Sequence, residues 1–127
     1  MTLRNLAATS AVAMLALFSV AASAADVIVT CEKRSSRSRA SVDGSGLVQG
    51  SYRAVLKSGG TAVRSAFAPA IGDEAEFDFD SKPIDIAEGA TPIPANFIVD
   101  GRVKGYLVNE SGQRVTPVVL AICRIRS

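Results

Sequence analysis

The sequence predicts an all-β domain, a small immunoglobulin-like β-sandwich of about seven or eight short strands with a disulfide joining its N- and C-terminal strands. Three observations carry that prediction. Beyond residue 24, no run keeps apolar residues at the i, i+3, i+4, i+7 spacing of a helix. Short alternating runs recur instead, separated by Gly, Ser, Asn and Asp. The only two cysteines, Cys31 and Cys123, stand near the two ends of this region.

Residues 1–24 read as a Sec-type signal peptide. Arg4 supplies the positive charge, Leu6 to Val20 is mostly apolar, and Ala22-Ser23-Ala24 is a small-residue cleavage site. Cleavage after Ala24, or one residue later after Ala25, leaves a single domain over residues 25–127 with no membrane anchor. The apolar run is shorter than the ~20 residues a membrane helix needs. Export directs the protein to the periplasm or beyond. Removing the segment takes away Arg4, so 13 of the 14 basic residues remain against 12 acidic ones. That balance predicts no overall field for a nucleic acid or an anionic membrane.

The strands follow in order. Val27 to Cys31 is β-branched and opens the domain. Glu32 to Arg39 is polar and basic, and Ala40-Ser41-Val42 leads into an expected turn at Asp43-Gly44-Ser45-Gly46. Tyr52 to Leu56 and Thr61 to Phe67 form a hairpin about Ser58-Gly59-Gly60. Val103 to Val108 and Gln113 to Val115 form another about Asn109 to Gly112. Each hairpin has an Asp-Gly upstream, at Asp43-Gly44 and Asp100-Gly101, which common turn chemistry explains without an internal repeat. Val118 to Arg126 is the last strand, continuously apolar at first and so expected to be covered on both faces there.

In an exported chain a lone pair of cysteines reads as one disulfide. Cys31 and Cys123 are 92 positions apart. A loop of that length gives a chain-entropy stabilisation of about 4–5 kcal/mol.

The composition excludes much chemistry. The expected mature chain has no His, Met or Trp. Without His there is no Ser–His–Asp or Cys–His triad. With both cysteines oxidised, zinc, copper and haem lose their usual ligands. No cofactor is expected. What remains for catalysis is a carboxylate pair or a Ser–Lys pair, and no motif marks either.

Glu74-Ala75-Glu76-Phe77-Asp78-Phe79-Asp80 is the most pointed stretch. Period two puts Ala75, Phe77 and Phe79 on a core face and Glu74, Glu76, Asp78 and Asp80 on an outer one. The four carboxylates are calcium candidates by charge. One straight strand does not converge them on an ion that wants six to eight oxygens, nor set two carboxyls on opposite sides of a glycosidic bond. They are otherwise a partner surface, or one half of cross-strand ion pairs with the basic segment Lys33 to Arg39. That basic segment is itself either a solvated strand edge or a polyanion patch without interleaved aromatics.

Ser81 to Ala95 is a long connection with Pro83, Pro92 and Pro94. It either crosses between sheets or projects Thr91-Pro92-Ile93-Pro94 as a stiff arm towards a partner. The function these readings favour is a non-catalytic β-sandwich with an interaction or structural role at the cell envelope, its partner another envelope or secreted protein. The alternative is an inhibitor of an exported hydrolase acting through Ser81 to Ala95. A carboxylate-based hydrolase is the enzymatic option.

Overall fold

The computed structural model describes residues 25–127, and the expected signal peptide lies outside the described residues. The strands are β1 (Asp26–Arg34), β2 (Arg37–Ser45), β3 (Ser51–Ser58), β4 (Thr61–Arg64), β5 (Ala68–Pro69), β6 (Ala75–Asp80), β7 (Thr91–Pro92), β8 (Arg102–Asn109), β9 (Val119–Ile122) and β10 (Arg124–Ile125). One short helix, α1 (Pro83–Ala87), follows β6. Two sheets form, in the orders β10-β1-β2-β6-β7 and β4-β3-β8-β9, with β5 added to one end of β3. Their inner faces enclose a core built around Val42, Leu56, Phe79, Val103 and Leu107. The all-β sandwich is as the alternating runs predict. The count of ten strands among the described residues exceeds the expectation because β5, β7 and β10 have two residues each. Two residues carry no periodicity.

Three sequence expectations need correction. The Asp43-Gly44 pair is strand, not turn: β2 runs on to Ser45, and Gly44 pairs with Ala75. Glycine suits the packing there, since a Cβ would meet Leu107 Cδ1 and force that side chain to shift. The chain turns only at Gly46, where φ is 70°. The other pair, Asp100-Gly101, does turn, with φ of 56° and 65°. Both central residues are then left-handed, as in the tight turns that Asp-Gly favours.

The basic stretch, in which the sequence marks no turn, is a hairpin. Lys33 pairs with Ser38 and Arg34 with Arg37 about Ser35-Ser36. Serines lack the Asn-Gly signature of two-residue turns, which hides this one in the sequence. The last strand is split by Cys123 and is not covered on both faces. Val119 and Ala121 turn inward, while Leu120 and Ile122 stay 51% and 72% exposed. An apolar run at a sheet edge reads like a buried one. After Cys123 the chain leaves the second sheet and adds β10 parallel to β1. The Cys31–Cys123 disulfide therefore ties β1 to the point where the chain changes sheets. Such a bond fits an oxidising compartment.

The third correction concerns Ser81 to Ala95. It does not project as an arm. α1 and β7 fold it against the first sheet, with Thr91 beside Phe79 and Pro92 beside Asp80. Ile93 is only 4% exposed. Buried Ser38 anchors both ends: its N–H donates to Ser81 Oγ (3.0 Å) and its hydroxyl to the Ala95 carbonyl (2.7 Å). The buried hydroxyls of Ser58, Ser65 and Thr116 do similar work. Each accepts a backbone N–H and donates to a backbone carbonyl where the strand ladder leaves them unpaired.

Candidate functional site

The acidic strand β6 pairs antiparallel with β2, and the pairing register sorts its carboxylates into two groups. Asp80 lies across from Arg39, and beside Arg37. Arg37 grips it with two bonds, Nε to Oδ1 at 2.9 Å and Nη2 to Oδ2 at 2.6 Å, and reaches Asp85 of α1 at 3.1 Å. Asp80 is on the outer side by period but only 4% exposed, because Arg37 and the following chain cover it. Burial alone would raise its pKa. The hydrogen bonds from Arg37 and the Lys82 N–H, together with the Arg37 charge, outweigh burial and hold it below the usual carboxylate range. Asp80 is thus held in an ion pair with Arg37 and is largely withdrawn from solvent.

Further along the same face the pairing turns unfavourable. Ser41 faces Asp78, and Asp43 faces Glu76. Burial first, then the charges of Glu76 and Asp78, push the Asp43 carboxyl above its ordinary pKa, opposed by a hydrogen bond from Ser41. Among the described residues no base lies within 4.0 Å of these three carboxylates. Glu74 sits outside the strand in a bridge with Ile71. Among the described residues, no group of three or more His, Cys, Asp or Glu is placed to hold a metal ion. Of the other proposed contacts, Pro92 and Pro94 are exposed, Thr91 is half-buried in the sheet, and Ile93 belongs to the core.

The second sheet carries the opposite sign on its outer face. Inward positions of β3 and β8 are Tyr52, Ala54, Leu56, Val103, Gly105 and Leu107, so Arg53, Val55 and Lys57 point out beside Arg102, Lys104, Tyr106 and Val108. Arg64 of β4 joins them opposite Val55. Arg114, after the β8 turn, joins them opposite Val108. Lys57 and Lys104 are directly paired across the strands. Two aromatic rings help to hold this charge: the Arg53 guanidinium is 4.2 Å from the Phe67 ring centre and the Lys57 ammonium 5.6 Å from that of Tyr106. The Arg53 Nε is buried without a hydrogen-bond partner. None of Arg53, Lys57, Arg64, Arg102, Lys104 or Arg114 has a carboxylate oxygen within 4.0 Å among the described residues. An open depression of about 720 Å³ overlies the face, with Glu110 the one acid in its lining.

Consecutive charges in the sequence mark Lys33 to Arg39 and not this face. Its cations come singly, from alternate positions of separate strands. The available signal was the i, i+2 repeat in Arg53-Ala54-Val55-Leu56-Lys57 and Arg102-Val103-Lys104. The near balance of charge in the whole chain also masks it, because the bases of the second sheet's outer face are offset by acids elsewhere in the fold. Chemically, such a face can bind anions; the buried hydroxyls nearest to it are already committed to backbone groups. The chain matches no protein-family model, no curated protein and no solved structure.

Proposed function

We propose that this protein is a non-catalytic interaction module, exported to the periplasm or secreted, with an interaction or structural role at the cell envelope. Its docking surface is the outer face of β4-β3-β8-β9, and its partner is an anionic surface of an envelope or secreted protein. The observation that carries this reading is the set of six cations on that face without a carboxylate partner, including the directly opposed Lys57 and Lys104. Like charges directly across a sheet destabilise the isolated domain. A binding surface gives that arrangement a use.

We also read the build as immunoglobulin-like. The orders β1-β2-β6 and β4-β3-β8-β9 correspond to the A-B-E and C′-C-F-G sheets of that architecture, and the parallel pairing of β10 with β1 fits its first and last strands. Architecture assigns no function. The inhibitor reading is less favoured, since Thr91 is paired in the sheet and Ile93 buried, which leaves Pro92 and Pro94 as its exposed contacts.

Immobilised heparin, a polyanion, is a direct probe. The wild type is retained at low salt, and Lys57→Glu/Lys104→Glu elutes at clearly lower salt, while Glu76→Gln/Asp78→Gln is retained at least as well as the wild type. Passage of the wild type through the column at low salt, or equal retention of the first variant, overturns the reading.

A further inference from the structure

We infer that the anionic partner of the basic face is the acidic face of a second copy of this chain, so that molecules stack head to tail, outer sheet face on outer sheet face. This rests on the reading of the β4-β3-β8-β9 face as a docking surface and names its occupant. Three features of the molecule point to it.

The first is complementarity. One outer face presents Arg53, Lys57, Arg64, Lys104 and Arg114; on the opposite side of the sandwich one end of the outer face presents Asp43, Glu76 and Asp78, while its other end carries Arg37 and Arg39. Each patch contains a directly opposed pair of like charges, Lys57 with Lys104 on the basic one and Asp43 with Glu76 on the acidic one. Both pairs are unfavourable in the monomer, and both are relieved by the same contact.

The second is spacing. Both surfaces are antiparallel sheet faces, so side chains on each repeat about 6.6–6.8 Å along a strand and about 4.8 Å between strands. On the acidic face the rows are Ile28–Asp43–Glu76 and Thr30–Ser41–Asp78. On the basic face they are Arg64–Val55–Tyr106 and Lys57–Lys104–Leu120. Charges on equal lattices can be set opposite one another by sliding one sheet over the other. Apolar contacts are available within these rows, from exposed Ile28 on one face and exposed Leu120 on the other.

The third is the balance of charge. With 12 acids against 14 bases in the whole chain, copies carry little net repulsion, so local patches of one sign dominate their encounter. The contact joins two different surfaces, and each copy keeps one of each free. It is heterologous and extends into an open chain unless a rotation closes it.

Sedimentation of the disulfide-bonded protein over a concentration series tests this at about 0.01 M and about 1 M salt, where the screening lengths are about 30 Å and about 3 Å. The wild type grows in mass with concentration at low salt and is monomeric at high salt. Lys57→Glu/Lys104→Glu loses the opposed lysine pair at the centre of its basic face and remains monomeric at low salt. Glu76→Lys/Asp78→Lys, with its acidic face reversed, also remains monomeric. Mixing the two variants restores association at low salt, a rescue that a misfolded variant would not give. A monomeric wild type at low salt, or a Glu76→Lys/Asp78→Lys variant that associates as the wild type does, overturns the inference. If that wild-type monomer is still held by heparin through Lys57 and Lys104, the docking reading stands and its occupant is another anionic partner. If it is held by neither, both fall.

Discussion

Arg37 shows how one side chain changes the meaning of a motif. Six residues of alternating acid and apolar character end in Asp80, which looks like its neighbours in sequence. Arg37 and the chain through Asp85 take it out of water and pair it. Removing the arginine leaves a buried carboxylate with one backbone donor, the Lys82 N–H at 3.0 Å. Arg37→Ala should cost about 2–3 kcal/mol at neutral pH, read by chemical denaturation. The pH dependence has a fixed sign. The folded pKa of Asp80 is depressed, so its stabilisation is present above the ordinary carboxylate range and is lost as pH falls through the folded value. The gap between wild type and Arg37→Ala should therefore narrow below about pH 4. An unchanged gap at low pH would show that Arg37 acts by packing alone.

At the scale of elements, the terminal strands show what the disulfide holds. β9 is four residues long, β10 is two, and Cys123 lies between them where the chain passes from one sheet to the other. The sheet ladder is interrupted there; the Cys123 N–H is satisfied instead by the Gly101 carbonyl at 2.8 Å. Cys31 on β1 is the fixed point across the gap. Replacing both cysteines by Ala should lower stability by about 3–5 kcal/mol and release exchange protection first in β9 and β10. Protection lost evenly across both sheets would place the bond's effect wholly in the unfolded chain. The pairing was legible in sequence from the cysteine count. The change of sheets was not, since an apolar run such as Val118 to Ile122 reads alike in a core and at an edge.

At the scale of the molecule, the sandwich separates charges that the chain interleaves. Arg53 and Lys57 lie in sequence between Asp43 and Asp73, yet end on the opposite side of the domain from Asp43, Glu76 and Asp78. Neutralising one member of each opposed pair should stabilise the monomer. Lys57→Gln and Asp43→Asn should each add about 0.2–1 kcal/mol at low salt, with the Lys57 gain fading at about 1 M salt. For Asp43 the sign with pH is the reverse of Asp80. Its folded pKa is raised, so its contribution to stability is present below the ordinary carboxylate range and is lost as pH rises through the folded value. The gain from Asp43→Asn should appear at neutral pH and vanish near about pH 3. A gain that persists there would trace to packing and not to charge.

The sequence by itself determined the fold class, most strands, the core face of β6 and the cysteine pairing. Those properties follow from period-two alternation, turn residues and a count of two, all of which are local or combinatorial. Tertiary structure decided which of the acids are paired and which are bare, because that depends on register: Arg39 opposite Asp80, Ser41 opposite Asp78, Asp43 opposite Glu76. It also decided that a chain of nearly balanced charge has a basic outer face on one sheet and an unpaired acidic patch on the other. Alternation sends a residue to one side of its own strand, but only the pairing of strands distant in sequence determines which charges share a surface.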